Sequence, residues 1–254
     1  MSIGARSDLF HILQKSDICV ISLIIFFLFI ILQSFTFSIA DGQTYNKIEY
    51  VYNIELMKGH LEQALVNKEI GNNSLSRAHI SHSIMEIYDF IEIQLATTDS
   101  NLNALLFHTL DSLSNNVEGL NFLQFKREID NINLMLNKAR KLIVPKDNST
   151  LNLIAATWLL DASAEKYEAG IANGKVKHLV DYQDSIGFIS RSESLFNDTY
   201  PMLNQSMRIP ADQAKSLFSL LNSKVQDKTN IDNLQSLITE IKQKATNITG
   251  VYLP

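Results

Sequence analysis

Only one cysteine occurs in the chain, Cys19, and it lies inside an apolar N-terminal run. The residues after it have no disulfide, no thiolate metal site and no cysteine nucleophile. Glycine and proline are scarce, nine and four in 254 residues. Few positions can break the chain, which favours long uninterrupted helices. No basic run occurs and the net charge is −5, which argues against a nucleic-acid surface. A G-x-S-x-G elbow and a Gly-rich phosphate loop are both missing, so nucleophilic and phosphoryl-transfer catalysis find no support and the chain is expected not to be an enzyme. No strand-type alternation of useful length appears anywhere.

What is present begins with an uncharged apolar run from Ile18 to Leu32, extended more weakly to Ala40. To Ala40 it is about as long as a membrane-spanning helix needs, roughly 20 residues. Arg6 and Lys15 precede it and Asp41, Glu49 and Glu55 follow it. That bias places residues 1–17 in the cytoplasm and everything after residue 40 outside. Ser38-Ile39-Ala40 also fits a signal-peptidase site, so residues 18–40 are either a transmembrane anchor or a signal peptide cleaved after Ala40. Both readings put residues 41–254 beyond the cytoplasm, at the cell membrane or secreted. Five N-x-[S/T] sequons (Asn72, Asn148, Asn197, Asn204, Asn247) suit that compartment.

The remainder reads as all-α. Ile54, Met57, Leu61 and Leu65 line a first helix, and Ile80, Ile84, Ile87 and Ile91 a second. A third starts after Ser100 as N-cap and carries Leu102, Leu106, Leu110 and Leu113. The fourth, about Leu120 to Ile143, has the cleanest three-four register in the chain, through Phe125, Ile129, Ile132, Leu136 and Ala139. After Val144-Pro145 the plan repeats. Helices carry Leu153, Leu160 and Tyr167, then span about 176–197, then start at Pro210 in the first turn, then carry Leu234, Ile238, Ile241, Ala245 and Ile248. The spacing therefore predicts two tandem four-helix up-and-down units, 41–145 and 146–254, arising by internal duplication. In the alignment of the halves His79 falls on Asp181 and His82 on Asp184.

The chemistry-bearing candidates sit on the second helix of each half. His79, His82 and Glu86 follow at i, i+3 and i+7, so two imidazoles and a carboxylate share one face. That donor set suits iron, copper or zinc, and the counterpart acids favour iron or another hard cation over copper. Leu75, Phe90 and Ile93 fall on the same face, which is expected to turn partly inward. Asp181 and Asp184 form a weaker second site. His60 and Glu62 are candidates to reach the first face, although the periodicity there is diffuse. Asp161, Glu165 and Glu168 read as solvated charge, and His108 and Asp111 as surface residues. The alternative to metal ligation is a hydrogen-bonded polar strip at a bundle edge.

Ala78-His79-x-x-His82-x-x-x-Glu86-x-Tyr88, with Asp181-Tyr182-Gln183-Asp184, Gly187-Phe188-Ile189 and Arg191-Ser192-Glu193, resembles the extracytoplasmic helical region associated with FTR1-type iron permeases, over most of residues 45–250. The resemblance implies binding or delivery of iron outside the membrane, with an iron permease or another envelope protein as partner. The permease's multi-span region with Arg-Glu-x-x-Glu helices is missing; Arg127-Glu128-Ile129-Asp130 is a near miss on a bundle helix. The expected protein is thus an anchored accessory that binds or delivers metal through His79, His82, Glu86, Asp181 and Asp184. The competing expectation is a structural or interaction module of the cell envelope without metal.

Overall fold

A computed structural model describes residues 42–145 and 148–251. The expected membrane or signal segment at 18–40 lies outside the described residues, and no helix among those described is long and apolar enough to cross a membrane. The chain divides into two units, 1–46 and 47–254. Of the first unit only 42–46 are described, and they are helical.

The second unit is built from helices with one small ribbon. Helix α1 covers 47–69 of this unit. It is followed by α2 (Asn73–His82), a π-helical turn (Ser83–Ile87), α3 (Tyr88–Thr98), α4 (Ser100–Asn115) and α5 (Phe122–Ile143). The second half holds α6 (Ser149–Gly170), a ribbon of β1 (Ile171–Ala172) and β2 (Lys175–Val176), α7 (Leu179–Thr199), α8 (Gln205–Gln226) and α9 (Ile231–Thr249). The apolar stripes of α4, α5 and α9 face the core as their spacing predicts, with Leu106, Leu110, Phe125, Ile132, Leu136, Leu234 and Ile241 all fully buried.

Asparagine starts most of these helices. Side chains of Asn72, Asn121, Asn148, Asn204 and Asn230 each accept a backbone N–H of the first turn, and Asp99 does the same for α4. Asp99, not the expected Ser100, is therefore the cap of α4. Three of the five sequons coincide with caps, so helix initiation accounts for the asparagine there. Asn204 also moves the start of α8 five residues ahead of the expected Pro210, which lies inside the helix.

The second helix departs from its expected form. Its π turn adds a residue to one turn and rotates the face of the helix beyond it. Ser83, Ile87, Tyr88, Ile91 and Leu95 then face inward, whereas Phe90 and Ile93 are 60% and 78% exposed. The expected inward placement of those two is overturned for that reason.

Helix α1 is the hub. Apolar Val51, Ile54, Met57 and Leu61 are fully buried, yet so is Glu55, and Lys58, His60, Gln63, Asn67 and Lys68 are nearly so. A helix buried on nearly every side, with Val66 and Glu69 exposed near its end, shows no clean stripe, which explains its diffuse period. Each buried polar group must then find a partner. Glu55 finds three cations: Lys58 Nζ at 2.7 Å, Arg191 Nη2 and Nε at 2.6 and 2.9 Å, and Arg140 Nη1 at 3.4 Å. Arg191 also donates to Glu62 at 2.9 Å. One carboxylate thus ties α1 to α5 and α7.

The α1–α7 crossing is set by glycine. A Cβ on Gly187 would stand 2.6 Å from the Gly59 carbonyl oxygen, and one on Gly59 would stand 2.8 Å from Phe188 Cδ1 and 3.2 Å from the Gly187 carbonyl carbon. The obstacle at Gly187 is backbone, which cannot rotate aside. Gly187→Ala is expected to part the two helices and cost at least about 1–3 kcal/mol, measured as a lower urea midpoint. An unchanged midpoint would show that the crossing has slack.

Candidate metal centre

Beside that crossing, α1, α2 and α7 bring His60, His79, His82 and Asp184 together. His60 and His79 donate from Nδ1 to Asp184 Oδ1 at 2.7 and 2.8 Å. His82 Nδ1 approaches Oδ2 at 3.4 Å. His60, His79 and Asp184 are buried, while the His82 and Glu86 side chains are 27% and 48% exposed. The cluster therefore has a dry inner side and a wet outer side. Phe188 packs edge-on against the His60 ring at 5.1 Å, closing the inner side.

Hydrogen bonds assign the nitrogens. Asn67 Nδ2 donates to the Gln63 carbonyl at 2.8 Å and to Gln183 Oε1 at 3.0 Å. Gln183 Nε2 donates back to Asn67 Oδ1 at 3.2 Å. That exchange fixes the Gln183 amide with its oxygen toward His79 Nε2, 2.9 Å away. His79 has an oxygen beside each ring nitrogen, Asp184 Oδ1 and Gln183 Oε1, so neither nitrogen is left for a further partner. His60 and His82 differ, because each turns Nδ1 to Asp184 and leaves Nε2 as the nitrogen for another partner.

Charges follow from the same contacts. Burial opposes ionisation of Asp184, but hydrogen bonds from His60, His79 and His82 outweigh it and hold the carboxyl far below the usual range. Burial pushes His60 down despite Asp184, which keeps that imidazole neutral. His82 is raised, chiefly by its hydrogen bond to Asp184 against a smaller burial cost.

Two donor sets are close enough to hold a cation: His60, His79 and Asp184, and His60, His82 and Glu86, each with its ligand atoms within 4.8 Å of one another. In the first, both His79 nitrogens and His60 Nδ1 are engaged by the hydrogen bonds above. In the second, Glu86 Oε1 lies 3.7 Å from His82 Nε2. Here Asp184 takes the Nδ1–H of both imidazoles, the carboxylate–histidine arrangement that orients metal-binding rings and raises their basicity. Two imidazoles and a carboxylate can hold iron or zinc with positions left open.

The structure thus gathers His79, His82, Glu86 and Asp184 around one centre. Asp184 is a partner of the histidines and not part of a second site, because α7 packs its face against α2. Asp181 belongs to neither donor set and faces Lys166 Nζ at 3.4 Å. His178 is exposed at the start of α7. Glu62 is taken by Arg191, and Asp161 pairs with Lys242 at 2.9 Å. The near-miss acid Asp130 pairs with Lys126 on the surface at 2.7 Å. His60 is the full member that spacing left undecided, and Lys166 is one that no sequence signal marked. On α6 it reads like any solvated lysine.

No curated protein and no solved structure matches the chain. The resemblance read from the motifs is borne out in the second half, from the Val144-Pro145 break to just past α9, and includes the Asp184 and Arg191 segments. The family model of the iron permease-associated 4-helix bundle domain matches residues 145–251, the four helices α6 to α9.

Proposed function

We propose that this chain is an accessory protein of an iron permease that binds an iron ion through His60 Nε2, His82 Nε2 and Glu86, with Asp184 orienting both rings. The observation that carries the reading is the shared Asp184: one buried carboxylate lies against Nδ1 of two imidazoles that form a donor set with Glu86. The partly exposed Glu86 side gives an ion a way in and out, which suits delivery better than storage. The family match to an iron permease-associated domain supports iron as the ion and a permease as the partner. The apolar run at 18–40 supports attachment to a membrane with the bundle outside the cytoplasm. The two helix sets are read as duplicated units. The match covers one set alone, and the aligned positions His82 and Asp184 face each other. The role proposed is binding and delivery of the ion, not catalysis.

One observation favours the competing reading of an envelope interaction module. Asp184 and His79 satisfy their hydrogen bonds without an ion. Anaerobic titration of the full-length chain with ferrous iron separates the two. One equivalent is expected to bind, and at a hundred times Kd it should add about 2.7 kcal/mol to unfolding. His82→Ala and Glu86→Gln should each abolish uptake. No uptake and no stabilisation at any concentration would leave the interaction module.

A further inference from the structure

Resting on that reading of the site, we infer that Lys166 is a tethered counter-cation that competes with the bound metal for Glu86 and so sets the site to release its ion. Lys166 reaches from α6 into a space bounded by three carboxylates. Its Nζ lies 3.4 Å from Asp181 Oδ1, 3.6 Å from Glu86 Oε2 and 3.8 Å from Asp184 Oδ2. A lysine committed to one acid would close to the ordinary 2.7–2.9 Å of a charge-assisted hydrogen bond. This ammonium stays in the middle of its acids, where a divalent cation would otherwise be drawn.

Glu86 is the shared element. Its Oε1 faces His82 Nε2 at 3.7 Å and its Oε2 faces Lys166 at 3.6 Å. A divalent ion held by His60, His82 and Glu86 therefore sits next to a positive charge already bound to the same carboxylate. Binding requires Lys166 to loosen from Glu86, and Asp181 gives it somewhere to go. Asp181 is outside both donor sets and already its nearest acid, so the ammonium can retreat along its flexible stem without becoming unpaired. Departure of the ion lets Lys166 return, so the emptied carboxylates are never left to repel one another. Capture is weakened and release assisted by the same side chain, a property useful to a protein that hands its ion on.

The contrasting role is positioning: Lys166 could hold Glu86 in its ligating orientation. The two roles predict opposite signs. The full-length chain with Lys166→Met, which keeps the stem and drops the charge, is titrated with ferrous iron beside wild type and Lys166→Arg. Removing a like charge within about 4–6 Å shifts a charge equilibrium by about tenfold or more, so the Met variant should bind at least about tenfold more tightly. The Arg variant, which keeps the charge, should not tighten. The metal-free Met variant should also unfold at lower urea than wild type, because three carboxylates lose their cation. Weaker or unchanged binding by Lys166→Met overturns the competitor role while leaving the site intact. Absence of binding by all three chains overturns the site and the competitor together.

Discussion

Glu55→Gln should destabilise the protein by about 3–5 kcal/mol, the penalty for breaking a buried ion pair by removing one partner. The carboxylate is fully buried against Lys58, Arg191 and Arg140. A neutral amide leaves those three cations, whose side chains are only 9–17% exposed, facing one another around an uncharged group. Hydrophobic loss is not involved, since glutamine matches the volume, so the effect isolates the charge. Its pH dependence is fixed by direction. Burial would raise the Glu55 carboxyl, but Lys58, Arg191 and Arg140 together hold it below its ordinary value. A group depressed in the folded state gives stability that is complete above its unfolded value, about 4.3, and is lost as pH falls through the lower folded value. Urea unfolding of wild type and variant should therefore differ fully at neutral pH and converge in acid. A difference of under about 1 kcal/mol at pH 7 would mean that the cations find other partners.

Asp184→Asn has the next largest effect, and it acts on both stability and binding. The amide cannot accept from both His60 and His79 with the strength of a carboxylate, and its NH2 group opposes one of the imidazole donors. Stability should fall by about 3 kcal/mol, at the lower end for a broken buried pair, because Gln183 still anchors His79. Loss of the oriented Nδ1 contacts should weaken iron binding about 10–100-fold. The two readouts separate roles. If Asp184 were only structural glue, the folded variant would bind iron as wild type does.

Much of this architecture was legible in the sequence because exposure alternates along most helices. On α5 and α9 one face meets water and the other the core, so the three-four pattern names the buried residues. On α1 nearly every position up to Val66 is buried or half-buried, and periodicity carries little information where the wet side is so short. Spacing therefore does not decide the side on which His60 lies, although it supplies a central imidazole. Spacing placed His79, His82 and Glu86 on one face, which holds up to the π turn. Nothing local marks that turn, and it sends Phe90 and Ile93 outward. Residue type and position mark Asp184 but assign it to a second site, since a helix's period says which side is special and not which helix it meets. The Gly59–Gly187 crossing sets α7 against α1 and puts Asp184 beside His60. Lys166 reaches the cluster only because α6 packs beside α7, a tertiary fact with no trace in its neighbours along the chain.

The most direct measurement is anomalous diffraction at the iron edge from crystals of the full-length chain grown anaerobically with ferrous iron. A single peak is expected about 2.0–2.2 Å from His60 Nε2, His82 Nε2 and a Glu86 oxygen, with Asp184 outside ligating distance on the far side of the two rings. No peak between those residues, or one centred on Asp184 and His79, would contradict the site.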